Sequence, residues 1–374
     1  MKIGISCYPS FGGSGIVATE LAMALAEGGD EVHVISYAPP SRLSLLTPRL
    51  FYHEVLVPNY PLFEYPPFSL ALATKMVEVA RHQGLDVMHV HYAVPNAVSA
   101  VLAKQILAPQ PLPVVTTLHG TDITLVGNDP SYLETTRFGI ERSDAVTAVS
   151  DALRRATREK LSVDREIEVI PNFIDPVRFE QVRVNNGVRR WAKPGEKVLV
   201  HISNFRPVKR VHDVVDVFAK VLEKVPSHLV LVGDGPERVK VEQRCRELGT
   251  CDAITFTGNL PLIEEVLVGG DLFLLPSETE SFGLAALEAL SCRVPVIATA
   301  VGGLPEVVRH GETGFLFPVG DTEAMAVAAI ELLTDTDRLE RFRAAGRADA
   351  LERFSQDAVV ALYRELYERV VTHR

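Results

Sequence analysis

Glu280 and Glu288 stand eight positions apart in Pro276-Ser277-Glu278-Thr279-Glu280-Ser281-Phe282-Gly283-Leu284-Ala285-Ala286-Leu287-Glu288-Ala289, between an apolar run at 272–275 and a helix-forming stretch. Free N–H groups in the first turn of such a helix can receive a diphosphate, and Gly283 lets a ligand approach the backbone. Glu280 precedes that turn, and Glu288 lies about 12 Å further along at about 1.5 Å per residue. An ionised carboxylate only accepts hydrogen bonds, so two of them flanking an anion site suit a ligand with hydroxyls on both sides of a diphosphate. A nucleoside diphosphate sugar is such a ligand, with one Glu for the sugar and one for the ribose. The bland alternative is that both acids merely complement a helix dipole.

Cations should accompany a leaving diphosphate. Ser203-Asn204-Phe205-Arg206-Pro207-Val208-Lys209-Arg210 follows a strand expected at 198–202, and positive charge at a strand end can stabilise that developing charge. Lys209 and Arg206 are the candidates; Arg210 is left to solvent, and a solvated basic loop is the alternative. Gly233-Asp234-Gly235 forms a further turn, weak evidence alone because tight turns use glycine for backbone reasons. Nearer the N-terminus, Tyr8-Pro9-Ser10-Phe11-Gly12-Gly13-Ser14-Gly15 opens a helix expected at 16–26 and can cradle an anion, with Gly13 expected to contact the donor. It lacks the G-x-G-x-x-G spacing of a dinucleotide site, which disfavours NAD. His119 sits at a strand end beside Gly120, Thr117, Thr121 and Asp122 and is expected to act directly. His89 and His91 fit a core or a cleft wall equally well.

Short β-branched runs alternating with amphipathic stretches must position these groups, the pattern of parallel sheets covered by helices. Strands are expected at 2–6, 31–36, 87–91, 114–118, 145–148 and 168–170, and again at 198–202, 228–232, 254–257, 272–275, 294–298 and 314–316. This α/β pattern divides into an acceptor-binding domain at 1–172, a nucleotide-sugar domain at 173–354 and a final helix at 355–374 that packs back on the first, with the seam near 171–191. Ligands of such sheets bind where strands end, so the site is expected in the cleft between domains. A chain of 374 residues, 47% hydrophobic and 23% charged, fits two soluble domains. Its formal charge of −10 argues against nucleic acid. No apolar stretch approaches the ~20 residues of a membrane span. The N-terminus lacks a signal peptide's pattern, and the four cysteines suggest neither a disulfide framework nor zinc, so a cytoplasmic location is expected. No Asp-x-Asp cluster suggests a metal, and no cofactor is expected.

The motif around Glu280 and Glu288 resembles the Glu-x7-Glu hallmark of the retaining glycosyltransferase family numbered 4, of the two-Rossmann GT-B architecture. The resemblance implies that Glu280 contacts donor sugar hydroxyls, that Glu288 holds the ribose, and that N–H groups around Phe282, Gly283 and Leu284 face the diphosphate. It also puts Gly233 near the nucleobase and His119 beside the donor sugar and reacting centre. Asn204 stands where the family usually has Arg, five residues before Lys209, so Arg206 is taken as its stand-in and Asn204 as a donor contact. Arg293 stands where the family commonly has Gly.

Residues 8–21, 89–97, 117–127 and 203–210 resemble more narrowly the branch that moves N-acetylglucosamine from UDP-GlcNAc to L-malate at the start of bacillithiol biosynthesis. A dicarboxylate pocket needs N–H donors, hydroxyls and a guanidinium. Ser14, Tyr92, Thr117 and Thr121 supply hydroxyls, and Arg137 or Arg142 the cation. Retention needs either a carboxylate beneath the anomeric carbon or a front-face displacement. The second is favoured, with Asp122 either the exception or a support for His119. The alternatives are a related transferase with an inositol phosphate, sugar or lipid acceptor, a UDP-GlcNAc 2-epimerase on the same architecture, and a binding protein without catalysis. Self-association into a homo-oligomer is left open.

Overall fold

The computed structural model describes residues 1–374 apart from 10–11, 59, 128, 181–186, 261 and 373–374. Ser10 and Phe11 of the Gly-rich loop, and residues 181–186 of the expected seam, lie outside the described residues. The chain forms two compact units, Met1–Asn172 with Gln356–Arg374, and Phe173–Ser355.

The first unit is built on β1 (Lys2–Ser6), β2 (Glu31–Ser36), β3 (Leu50–Glu54), β4 (Val87–His91), β5 (Val114–Leu118), β6 (Ala145–Ala148) and β7 (Glu168–Val169), all parallel, in the order β3-β2-β1-β4-β5-β6-β7. The second carries β8 (Lys197–Ile202), β9 (Ser227–Val232), β10 (Ile254–Gly258), β11 (Leu272–Leu275), β12 (Val296–Thr299) and β13 (Gly314–Phe317), also parallel, in the order β10-β9-β8-β11-β12-β13. These are two Rossmann-like sheets. The central strands β4, β5, β6, β9, β11 and β12 are buried along their whole length, which is why they read as nearly continuous apolar runs. In each sheet the order reverses between two neighbours, β1 and β4 in one and β8 and β11 in the other. The loops leaving those strands are where a doubly wound sheet binds ligands.

Three sequence expectations shift. β3 was not expected; it is a half-exposed edge strand, Leu50-Phe51-Tyr52-His53-Glu54, inside a Pro- and aromatic-rich stretch that hid its periodicity. β12 begins at Val296 rather than at 294, since Pro295 has no N–H to give a ladder. β7 is two residues long. Arg293 adopts φ +62, a left-handed backbone that glycine enters more freely than arginine does. No helix among the described residues is long and apolar enough to cross a membrane.

The helix Gln356–Thr372 packs into the first unit through Tyr363 and Tyr367, both fully buried. Their phenols meet a polar layer beneath β4 and β5. Tyr367 Oη lies 2.7 Å from His89 Nδ1, and His89 Nε2 lies 2.7 Å from Thr117 Oγ1. Thr117 also reaches Thr147 Oγ1 at 2.7 Å and Tyr363 Oη at 3.5 Å. Burial pushes His89 down to about 3, so it is neutral and its two nitrogens share one donor and one acceptor role. Tyr367→Phe is expected to destabilise the first unit by about 1–3 kcal/mol, the cost of stranding a buried nitrogen. Amide exchange of β4 and β5 under urea measures it; protection equal to the parent protein's would show that the bond contributes nothing.

Candidate active site

In the second unit the loop after β11 holds Glu280 in place with three kinds of contact. Lys209 Nζ donates to Glu280 Oε1 at 2.5 Å, and Ser277 Oγ donates to the same oxygen at 2.9 Å. The Ser277 carbonyl accepts Thr299 Oγ1 at 2.5 Å from the end of β12. The Glu280 carbonyl accepts the Gly303 N–H at 3.0 Å, and the Glu278 N–H donates to the Val208 carbonyl at 2.8 Å, joining this loop to the one carrying Lys209. Gly302, at φ +52, has no room for a side chain: a Cβ would lie 1.8 Å from the Glu280 carbonyl oxygen. Among the described residues these bonds leave Oε2 of Glu280 to another donor. The Lys209–Glu280 pair is only 22% and 12% exposed, so salt screens it less than a surface pair and it fixes where the ammonium sits.

The expected donor-binding residues fall around that pair. Gly283, at φ +100, caps the helix Leu284–Ser291, and its carbonyl accepts from Ala286 and Leu287. The N–H groups of Leu284 and Ala285 precede the helical ladder and have no intrahelical acceptor. Phe282 turns its ring inward, 3% exposed and edge-on to Phe354 at 5.6 Å, so only its backbone can face a ligand. Glu288 is on the same helix and 5% exposed. Gly233 (φ +116) and Gly235 press on the preceding loop: a Cβ would lie 1.7 Å from the Ser203 carbonyl oxygen and 2.1 Å from that of Asn204. Gly233 is thus required by loop packing whatever it does for a base. Asn204 is exposed and Arg206 half-buried, with no ion pair for Arg206 among the described residues. Arg210, left to solvent by the sequence reading, instead ion-pairs with Asp213 at 2.6 Å.

One residue here escaped the sequence reading. His201 on β8 is buried; its Nδ1 donates to the Leu274 carbonyl at 2.8 Å and its Nε2 accepts from Ser203 Oγ at 2.8 Å. Burial, with the Lys209 charge adding to it, pushes His201 down to about 4. It stitches the ends of β8 and β11 together, and a lone His inside a strand carried no signal of that.

In the first unit the loops after β1, β4 and β5 converge. Tyr92 takes φ +84, rare for a non-glycine residue and typical of strained functional segments. Its ring stacks on His119 at 5.5 Å and meets Tyr8 edge-on at 5.4 Å. His119, 8% exposed and pushed down by burial to about 3, is neutral. Asp122 is fully buried, and its oxygens accept from the N–H groups of Gly120 (2.7 Å), His119 (3.2 Å) and Ala93 (3.2 Å). Burial raises it to about 6 against the pull of those donors. Gly13 and Ser14 open the helix Gly13–Glu27, whose first ladder bond is Ile16 N–H to the Gly12 carbonyl at 3.2 Å; the N–H groups before it have no intrahelical acceptor among the described residues. Thr121 is half-buried with no side-chain bond among the described residues.

Two residues do not take the places expected of them. Thr117 spends its hydroxyl in the buried layer with His89 and Thr147, behind the loops rather than among them. Arg137 donates from Nε to the Leu161 carbonyl at 2.7 Å, closing the end of the helix Asp151–Leu161, and lies 3.2 Å from Glu134. Arg142 is exposed, its guanidinium 5.7 Å above the Phe138 ring. No group of three His, Cys, Asp or Glu among the described residues is placed to hold a metal.

Residues 11–178 match the family model Glycosyltransferase Family 4, and residues 188–349 match Glycosyl transferases group 1. The chain is 48% identical over 372 residues to the N-acetyl-alpha-D-glucosaminyl L-malate synthase of Bacillus anthracis, covering 99% of this chain and 97% of that one. The chain belongs to glycosyltransferase family 4. The chain is also 26% identical to the D-inositol 3-phosphate glycosyltransferase of Nocardia farcinica, over 88% of this chain and 79% of that one. The fold is shared with Anabaena HepE in complex with UDP-glucose, at a TM-score of 0.81 and 23% identity, over 99% of this chain and 100% of the other. The chain is therefore a glycosyltransferase with two Rossmann-like units of the GT-B kind. Within this family scaffold, Gly302→Ala is expected to displace the Glu280 backbone and lower transferase kcat/KM by about 10²-fold, the usual cost of a misplacement near 1 Å. Far-UV circular dichroism should not change; parent-like kcat/KM would mean the loop yields without moving the carboxylate.

Proposed function

We propose that this chain is a retaining enzyme that moves N-acetylglucosamine from UDP-GlcNAc to the hydroxyl of L-malate, in the cytoplasm. The near-full-length likeness to the B. anthracis synthase carries the reading. The site geometry supports it. In the second unit Glu280, through Oε2, takes sugar hydroxyls and Glu288 the ribose. The N–H groups of Leu284 and Ala285 receive the diphosphate, with Lys209 and Arg206 beside it as its charge grows.

The acceptor side now rests on fewer groups. The N–H donors at Gly13 to Gly15 and the hydroxyls of Ser14, Tyr92 and Thr121 receive the malate carboxylates. Thr117 has no part in it, since its hydroxyl is held in the buried layer, and Arg137 is turned to the Leu161 carbonyl and Glu134 through its Nε and one Nη. An anionic-lipid acceptor is disfavoured by charge. Residues 41–76 expose Leu46, Leu62 and Tyr65, yet hold only Arg42, Arg49 and Lys75, of which Arg42 pairs with Glu20 and Lys75 with Glu78.

Front-face displacement fits the carboxylates. A covalent route needs a free carboxylate below the anomeric carbon. Asp122, the first-unit candidate, is sealed and already accepts three N–H groups, so it holds the His119 loop. The malate oxygen then bonds to the anomeric carbon as the bond to the β-phosphate oxygen breaks, and that oxygen takes the malate proton.

Incubation with UDP-GlcNAc, with and without L-malate, followed by UDP assay and product mass, tests the reaction. Release of UDP without malate, formation of UDP-ManNAc, or transfer to an inositol phosphate in preference to malate would each overturn it. Glu288→Ala should raise the donor KM by about tenfold or more, the loss of a charged hydrogen bond worth ~1.5–3 kcal/mol. An unchanged donor KM would remove Glu288 from the ribose. Ser14→Ala and Tyr92→Phe should raise the malate KM and spare the donor's; the opposite split would reverse the roles of the two units.

A further inference from the structure

His91, at the end of β4, and His119, just past the end of β5, touch through their rings. His91 Nδ1 lies 2.8 Å from His119 Nε2, with the ring planes 27° apart. Burial holds both well below the usual imidazole range, so two neutral rings share one proton across the contact. Either nitrogen could be its donor.

The far side of His91 decides between them. Its Nε2 is sealed from solvent and has no hydrogen-bond partner among the described residues. Were His119 the donor, His91 would carry its own proton on that Nε2, stranding an N–H in the interior. With His91 as donor, Nε2 is only an unused lone pair. Buried N–H groups without acceptors are rarer than acceptors without donors. Both rings are packed in a row: His89 lies against His91 at 4.4 Å between centroids, and the Tyr92 ring stacks on His119 at 5.5 Å.

We infer that His91 donates from Nδ1 to His119 Nε2 and thereby fixes His119 in the Nδ1–H form, a hydrogen-bond donor to a substrate oxygen. The Nδ1 atom of His119 has no partner among the described residues and is not among the sealed, unpaired atoms. His91 is a positioning residue that touches no substrate. The inference rests on the role proposed for His119 in sugar transfer and deepens it. A donor at Nδ1 cannot accept the malate proton there, which leaves that proton to the departing phosphate oxygen.

Long-range proton–nitrogen NMR on the full chain, with 15N-labelled histidine and no substrate, separates protonated from bare ring nitrogens. Loss of one set of peaks in His119→Gln assigns them. The parent protein should show His119 protonated at Nδ1 and bare at Nε2. His91→Asn, whose amide can donate from nearly the same place, should keep that form, and His91→Phe should lose it. His91→Phe should also cost about tenfold in kcat with both KM values little changed, short of the ~10²–10³ for deleting a preorganised donor outright. His119 protonated at Nε2 in the parent, or an unmoved tautomer in His91→Phe, would overturn the inference. The tautomer needs no substrate to be measured. The expected form with no malate-dependent transfer therefore supports the inference and overturns the proposed reaction instead.

Discussion

Neighbouring loops at the end of the second sheet lie backbone against backbone. Gly302 meets the Glu280 carbonyl and Gly233 the Ser203 carbonyl at distances no Cβ could share, and Gly235 does the same to Asn204. Strands of a parallel sheet stand about 4.8 Å apart, so the loops leaving them compete for one small area. Side chains between them would force the loops to splay. Glycine at the contact points lets Val208 and Glu278 bond directly, and the Lys209–Glu280 pair follows from that bond. The ion pair is thus a product of backbone packing more than its cause.

The first unit reaches a comparable rigidity by other means. Its loops rest on a buried polar layer of His89, Thr117, Thr147, Tyr363 and Tyr367, in which nearly every group has a partner. Such a layer is costly if any member is missing, because each remaining group stays desolvated without compensation. Once complete it fixes ring orientations that apolar packing would leave loose. Tyr92 in its unfavourable backbone and the neutral His119 beside it are tolerated on that foundation.

What was legible in the sequence was what is local. Glu280, Gly283 and Glu288 sit within one strand–loop–helix passage, and the strands that flank them are buried apolar runs that announce themselves. Longer-range pairing was hidden. Thr117 lies two residues from His119, a spacing that puts both on one face of a strand, and nothing in the letters says that Tyr363 of the last helix meets that face at Thr117. Arg137 looked free because its acceptor, the Leu161 carbonyl, is 24 residues away at the end of another helix. Arg210 looked solvent-bound, although Asp213 is one turn on and could have been suspected. β3 went unseen because an exposed aromatic edge lacks the apolar alternation that marks a strand.

The two phenols that complete the first unit come from Gln356–Thr372, after the whole of the second unit in chain order. On a ribosome the first sheet therefore emerges with His89 and Thr117 still unmatched. It must wait while roughly another 190 residues are made, at about 5–20 residues per second. The second unit is contiguous and can close as soon as it is released. Synthesis thus runs from one end of the chain while completion runs from the other, and for some tens of seconds the nascent protein holds a half-finished sheet that a chaperone is suited to shelter.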